Sequence, residues 1–464
     1  METRIEKDSL GDRHIPKDAY YGVQTHRALE NFPISGLKPK AAYVDATMHI
    51  KRAAAVVNKE LGLLDGTIAD AIVKAADEVL GGKFREWFVV DVYQAGAGTS
   101  HNMNCNEVLA NRAIEILGGQ KGDYTKVSPN DHVNMAQSTN DVCPTAIRIG
   151  SLFEVQKLLP VLEQLEKVFL QKGKEFDHIV KSGRTHLMDA TPVRLGQEFT
   201  AYGVNVRNHR KAIERAAESS KELGIGGTAV GTGLNAHPKY RPMMVEQLTK
   251  QTGIQFKMAE DYFESMQSLR PMVELSNAIR NFAQDLSRIS NDIRLLGSGP
   301  KTGLSEIFLP AVQPGSSIMP GKVNPSMAEM VNQVCYQVLG CDTTILMSAQ
   351  AGQLELNVMM PVVAFNLIHE IEILRNAIDV YIKFCLAGIT ANAERCQFYA
   401  ENSTSVVTVL NPHIGYLAAA EIAKEYIKSG KPIRELVVEK GLLKKEQLDK
   451  VFDLRGMTEP GIHK

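Results

Sequence analysis

No stretch of this sequence stays apolar for the roughly 18 to 20 residues that a bilayer-spanning helix needs. Residues 1–8 are charged and carry no apolar leader core, so a cytoplasmic location is expected. Neither sign of charge is in excess: 52 Lys plus Arg stand against 53 Asp plus Glu, a net charge of −1. That balance removes the electrostatic case for nucleic acid or an anionic membrane as a partner. Cysteine is scarce. Cys105, Cys143, Cys335, Cys341, Cys385 and Cys396 form no C-x-x-C, and none sits at zinc-finger spacing from a histidine. They read as six reduced thiols, and no metal is expected. Nucleotide loops are missing as well. Gly224, Gly226 and Ala229 fit only the relaxed form of G-x-G-x-x-G, with no strand pattern before them. Gly321-Lys322 is not a P-loop, because Ser316 stands where a glycine is needed and Val323 follows the lysine. No cofactor is expected, and no internal repeat or low-complexity tract is present.

What is there looks like an ordinary soluble chain, with 23% charged and 44% hydrophobic residues. At about 150 residues per domain, 464 residues suggest three parts. Residues 1–138 read as a mixed, mostly helical domain. Residues 139–394 read as a central helical bundle, and residues 395–464 as a small helical C-terminal domain. In the centre, Leu152, Val155, Leu159, Leu162, Leu165 and Phe169 fall three and four apart, the mark of a helix with one buried stripe. Met272, Leu275, Ile279, Phe282, Leu286, Ile289 and Ile293 repeat the pattern. The expected fold is therefore mainly α, a long-helix bundle with few strands. Pro160 and Pro361 should bend or interrupt their helices. A stripe too wide for one chain to cover should pack against another subunit, so an oligomer is expected.

Four polar, glycine-marked segments break this background. They are Gly96-Ala97-Gly98-Thr99-Ser100-His101-Asn102-Met103-Asn104, Gln137-Ser138-Thr139-Asn140-Asp141, Gly183-Arg184-Thr185-His186-Leu187-Met188-Asp189 and Gly315-Ser316-Ser317-Ile318-Met319-Pro320-Gly321-Lys322-Val323-Asn324-Pro325. Two glycines and two prolines make the last one a loop, and its density of small polar donors suits an anion. Singly, each segment has a plain structural reading. Ser138 to Asp141 can cap a helix, and Thr99 with Ser100 can do the same. His186 alone can be a hydrogen-bonded structural histidine, Ser316 a loop serine, and Glu329 a solvated glutamate at a helix start.

Together and in this order, the four segments resemble those of the aspartase/fumarase superfamily. The likeness runs over essentially the whole chain, residues 226–235 and 352–357 included. Members of that family eliminate ammonia, an amine or water from a succinyl-type substrate and release fumarate. The resemblance implies a three-part, mainly α subunit whose long helices assemble into a 20-helix tetramer core. It also implies active sites built from segments of three subunits.

By family position, Thr99, Ser138, Thr139 and Ser317 would grip the carboxylate that becomes an enediolate. Thr185, Lys322 and Asn324 would hold the other carboxylate, and Asn140 and His186 would face the leaving group. Ser316 would be the general base on a mobile loop, with Glu329 orienting His186. The chemistry explains these residue types. The proton comes off a carbon beside a carboxylate, a very weak acid, so the resulting dianion needs donors aimed at its oxygens. Hydroxyls, amide N–H groups and one ammonium supply them without a metal. A serine hydroxyl is a poor base, so Ser316 needs oriented N–H groups, a nearby cation and a dry site. Gly315 and Gly321 would let the loop fold over substrate.

The leaving group rests on finer detail. Asp18-Ala19-Tyr20-Tyr21-Gly22-Val23-Gln24-Thr25, Gly98-Thr99-Ser100 and Ser138-Thr139-Asn140 resemble the branch that deaminates L-aspartate by anti elimination. Gly226-Gly227-Thr228-Ala229 and Leu187-Met188-Asp189-Ala190-Thr191-Pro192 look more like the fumarase branch, which acts on L-malate. The glycine run is expected in a helix connection away from the leaving group and so weighs less. L-aspartate to fumarate and ammonia is the expected reaction. Fumarate hydration is the alternative, and an inactive structural relative a remote one.

Overall fold

The computed structural model describes residues 2–462. Met1, His463 and Lys464, at the outer ends of the first and third expected parts, lie outside the described residues. Strands β1 (Thr3–Asp8) and β2 (Gly11–Pro16) open the chain as an antiparallel hairpin. Helices α1 (Val23–Asn31), α2 (Ala41–Glu60), α3 (Gly66–Leu80) and α4 (Thr99–Ile116) follow. The 37-residue α5 (Thr139–Glu175) leads to a second hairpin, β3 (Val180–Thr185) with β4 (Met188–Arg194), and to α6 (Leu195–Glu218). Next come β5 (Glu222–Leu223), α7 (Tyr240–Thr252), β6 (Lys257–Met258), α8 (Tyr262–Gln267) and α9 (Arg270–Leu296). The chain continues through β7 (Ile307–Phe308), α10 (Ser326–Ala349), α11 (Met360–Phe384), β8 (Thr390–Ala391) and α12 (Ala393–Asn402), with short helices after it. The expected helical class holds, since the described strands form only two-stranded pairs.

The chain folds as two compact units, one from residues 1–160, 209–284 and 334–375, the other from 161–208, 285–333 and 376–464. Helices α5, α6, α9, α10 and α11 each give one stretch to either unit. In the first unit, α2, α3 and α4 bury Val44, Met48, Ile72, Val79, Val108, Leu109 and Ile114 in one apolar cluster. In the second, the C-terminal helices close over Val406, Leu410, Ile422, Leu436, Val437 and Phe452. Along α9 all seven stripe residues are fully buried. On α5, Leu158 rather than Leu159 takes the buried place between Val155 and Leu162.

Neither proline interrupts its helix. Pro361 is the second residue of α11, where the missing N–H has no intrahelical acceptor anyway. Pro160 lies inside α5 but on its exposed side, so the carbonyl it orphans faces water. Thr139 opens α5, and residue 395 falls within α12. We keep the division at 138/139 and 394/395 as a proposal about chain segments. All six cysteines are free and buried. Among the described residues no helix is long and apolar enough to cross a membrane.

Candidate active site

The first turns of α4 and α5 meet within the first unit. The chain enters α4 through left-handed backbone at Ala97 (φ 61°) and Gly98 (φ 93°). A Cβ at Gly98 would lie 2.8 Å from Cys143 Sγ, so glycine lets the start of α4 press against α5. Cys143 Sγ donates to Gly98 O at 3.7 Å, and Asn102 Nδ2 donates to Thr139 Oγ1 at 3.3 Å. Thr99 is the first residue of α4 and Thr139 the first of α5. Thr99 does not cap α4, and its side chain is exposed at the helix start. Gln94 Oε1 takes the His101 N–H instead, at 2.7 Å. Two positive helix ends thus stand side by side, each with a threonine hydroxyl, an arrangement that favours an anion.

The capping reading holds for Ser138. Its Oγ accepts the Asn140 N–H at 3.2 Å, and its own N–H donates to Asp141 Oδ1 at 2.9 Å. This reciprocal cap is one part of what Asp141 does. Its Oδ2 accepts the N–H groups of Gly226 and Thr228, both at 2.9 Å, and Asn140 Nδ2 donates to Ala229 O at 2.8 Å. The glycine run expected away from the leaving group is therefore clamped to the turn that carries Asn140. The reason is that a buried carboxylate needs N–H donors, and a glycine-rich turn bares its backbone. Burial pushes the Asp141 carboxyl up to about 6, opposed by the N–H groups of Ser138, Thr228 and Gly226 and by Lys51.

Lys51, on α2, is the residue that sequence reasoning missed most completely. Its ammonium is fully buried and donates to Asn134 Oδ1 at 2.8 Å and Gln137 Oε1 at 2.9 Å. Burial brings it down to about 8. Asn134 Oδ1 also accepts from Asn102 Nδ2 at 3.2 Å. A chain of polar contacts therefore runs from Lys51 through Asn134 and Asn102 to Thr139. It lies outside the four glycine-marked segments, so no motif flagged it.

Thr185, His186 and the serine loop lie in the second unit. His186 and Leu187 form the two-residue turn between β3 and β4, where Thr185 pairs with Met188. Both turn residues have positive φ, 55° and 59°. That is the hairpin turn asparagine and glycine usually fill, and it costs other residues about 1–3 kcal/mol each. Thr185 and His186 are exposed, and the His186 imidazole hydrogen-bonds to no described residue. Glu329, in the first turn of α10, lies 4.0 Å from Arg294. One chain by itself therefore does not make the expected pair of Glu329 with His186.

Residues 309–325, between β7 and α10, form neither helix nor strand. Gly315 N donates to Lys322 O at 2.9 Å, and Asn324 Nδ2 donates to Gly315 O at 2.6 Å, closing the loop on itself. A Cβ on Gly315 would collide with Lys322 O and lie 2.6 Å from Asn324 N. Inside this ring the Ser316 Oγ accepts two backbone N–H groups, from Ile318 at 3.2 Å and Met319 at 2.9 Å. Ser317 and Lys322 are exposed. The amide N–H of Asn324 is engaged inside the loop in this conformation. Among the described residues no group of three or more His, Cys, Asp and Glu side chains could hold a metal ion.

Comparisons with known proteins bear on the family of the chain. A family model described as "Lyase" matches residues 11–340, and one described as "Fumarase C C-terminus" matches residues 406–459. The aspartate ammonia-lyase of Bacillus subtilis (strain 168) is 50% identical over 461 residues, 99% of this chain and 97% of that protein. A solved fumarate lyase:delta crystallin from Brucella melitensis has a TM-score of 0.95 at 46% identity, over 99% of this chain and 100% of that one. A class II fumarase from Schistosoma mansoni has a TM-score of 0.96 at 39% identity, over 99% of both chains. Over its full length, then, the chain belongs to the aspartase/fumarase superfamily of lyases, the family it shares with the aspartate ammonia-lyases.

Proposed function

We propose that the protein reversibly deaminates L-aspartate to fumarate and ammonia. The paired starts of α4 and α5 carry this reading, with the hydroxyls of Thr99 and Thr139 at adjoining positive helix ends. Such a pair suits a carboxylate that gains a second charge. Ser316 Oγ takes the proton from the carbon next to that carboxylate. The electron pair moves into the carboxylate to give the enediolate, which Thr99, Ser138, Thr139 and Ser317 hold. It then returns to form the carbon–carbon double bond, and the amine leaves from the opposite face toward Asn140 and His186. Thr185, Lys322 and Asn324 hold the second carboxylate, with the Asn324 amide released from Gly315 as the loop closes.

Ser316 meets one requirement for a base already, since two backbone N–H groups point at its oxygen. The remaining requirements, a cation and exclusion of water, fall to Lys322 and to closure of the loop. Sister subunits complete the site. Among the described residues His186 has no hydrogen-bond partner, and a Glu329 from another subunit supplies one. Helix α10 leaves Tyr336, Leu346 and Met347 more than half exposed, which supports burial of its outer face in a tetramer core. Six free, buried thiols suit a reducing cytoplasm.

Hydration of fumarate is the second reading. The fumarase-like run Gly226-Gly227-Thr228-Ala229 favours it, because that run touches Asn140 rather than lying remote from it. Purified protein offered L-aspartate and L-malate separately, with fumarate followed by its ultraviolet absorbance, separates the two. Turnover of L-aspartate alone is expected, and turnover of L-malate alone would reverse the assignment.

A further inference from the structure

We propose that Glu306 is a positioning residue for this reaction, one buried carboxylate that fixes the hairpin carrying Thr185 and His186 to the root of the serine loop. The proposal rests on the reading of Ser316 and His186 as groups at the reacting centre. Glu306 has no exposed surface. Its Oε1 meets Arg184 Nη1 at 2.9 Å, and its Oε2 forms an ion pair with Lys181 Nζ at 2.8 Å. Both cations stand on β3, which ends at Thr185, so a single carboxylate grips that strand at two points. Lys181 is shared with Glu198 of α6 at 2.9 Å, and the Arg184 guanidinium lies 5.3 Å from the Tyr399 ring centre.

The backbone of Glu306 is held as firmly as its side chain. Its N–H donates to Leu296 O at the end of α9, and its carbonyl accepts the Asn392 N–H, both at 2.9 Å. Ile307 and Phe308 then pair with Ala391 and Thr390, and the irregular stretch that holds Ser316 follows at once. Glu306 is thus tied on one side to the strand that delivers His186 and on the other to the last ordered strand before the serine. Two carboxylates against two cations leave the cluster neutral, but desolvation makes such clusters weak stabilisers compared with apolar packing. What the arrangement does supply is register. His186 and Leu187 occupy a strained turn that persists only while its flanking strands are held.

The test is Glu306→Gln, compared with wild type by amide hydrogen exchange and by steady-state turnover of L-aspartate. Peptides covering residues 180–190 and 307–325 should both exchange about tenfold faster or more, while residues 97–103 and 137–142 stay unchanged. In the folded protein kcat should fall about tenfold or more, with KM within about threefold, because misplaced groups cost turnover more than binding. Glu306→Asp should recover part of the loss. Faster exchange in only one segment, or unchanged kcat beside a lowered melting temperature, would overturn the proposal. Where Glu306→Gln fails to fold, Arg184→Lys decides by the same two readouts. The exchange arm needs no substrate, so wild type inert toward L-aspartate would count against the assigned reaction and leave the coupling to be judged separately.

Discussion

The backbone N–H of Met319 donates to the Oγ of Ser316 at 2.9 Å. With the Ile318 N–H at 3.2 Å, it places two donors where an alkoxide would carry its charge. Ser316→Ala removes the base and leaves an irregular, largely exposed loop otherwise intact. It should lower kcat by about 10²–10⁴-fold with the melting temperature nearly unchanged, as read by fumarate absorbance and calorimetry. Full activity in the variant would remove Ser316 from the mechanism.

Gly315 tests whether the closed ring matters. A methyl group there meets Lys322 O and Asn324 N, so Gly315→Ala must open the backbone closure of Gly315 on Lys322. We expect kcat to fall at least about tenfold, with little change in stability because the loop buries almost nothing. A crystal structure of the variant with the Gly315 to Lys322 backbone bond intact and normal turnover would contradict this.

Thr139→Val keeps the shape of the side chain and deletes its hydroxyl. One donor to the enediolate is lost, which predicts a fall of about 10²–10³-fold in kcat with folding retained. Loss in KM alone would show that Thr139 binds substrate and transition state equally.

His101 gives a pH signature for the scaffold beneath this turn. The imidazole is buried, stacks on Tyr43 at 4.2 Å between ring centres, and lies 3.0 Å from Thr47 Oγ1. Burial, with help from Lys51, pushes it down to about 3. An unfolded chain binds the proton near 6.5 and the native one does not. Stability from this group is therefore whole above about 6.5 and is lost as pH falls toward 3. Melting temperatures from pH 7 to 4 should drop more steeply for wild type than for His101→Gln. Parallel curves would show that His101 does not stay neutral.

Much of this architecture is legible in the sequence because it follows local rules. The α9 stripe repeats at three and four, and all seven of its residues are buried. Gly98 and Gly315 mark their segments as turn and loop, and in the structure a Cβ at either would crowd a neighbour. What stays hidden depends on contacts far apart in the chain. Ser138 to Asp141 reads as a cap and is one, yet the other oxygen of Asp141 reaches Gly226 and Thr228, which no spacing rule foretells. Lys51 looks like a solvated lysine until the fold buries it against Asn134. The partner proposed for His186 is hidden for a different reason, since the proposal puts it on another subunit.

The proposed composite site is tested most directly by co-expressing two inactive variants, Ser316→Ala and Thr139→Val, with different tags, and assaying purified mixed oligomers with L-aspartate. If Ser316 and Thr139 reach each site from different subunits, random mixing restores native sites at about a quarter of wild-type turnover. Mixed oligomers no more active than either variant alone would contradict the account.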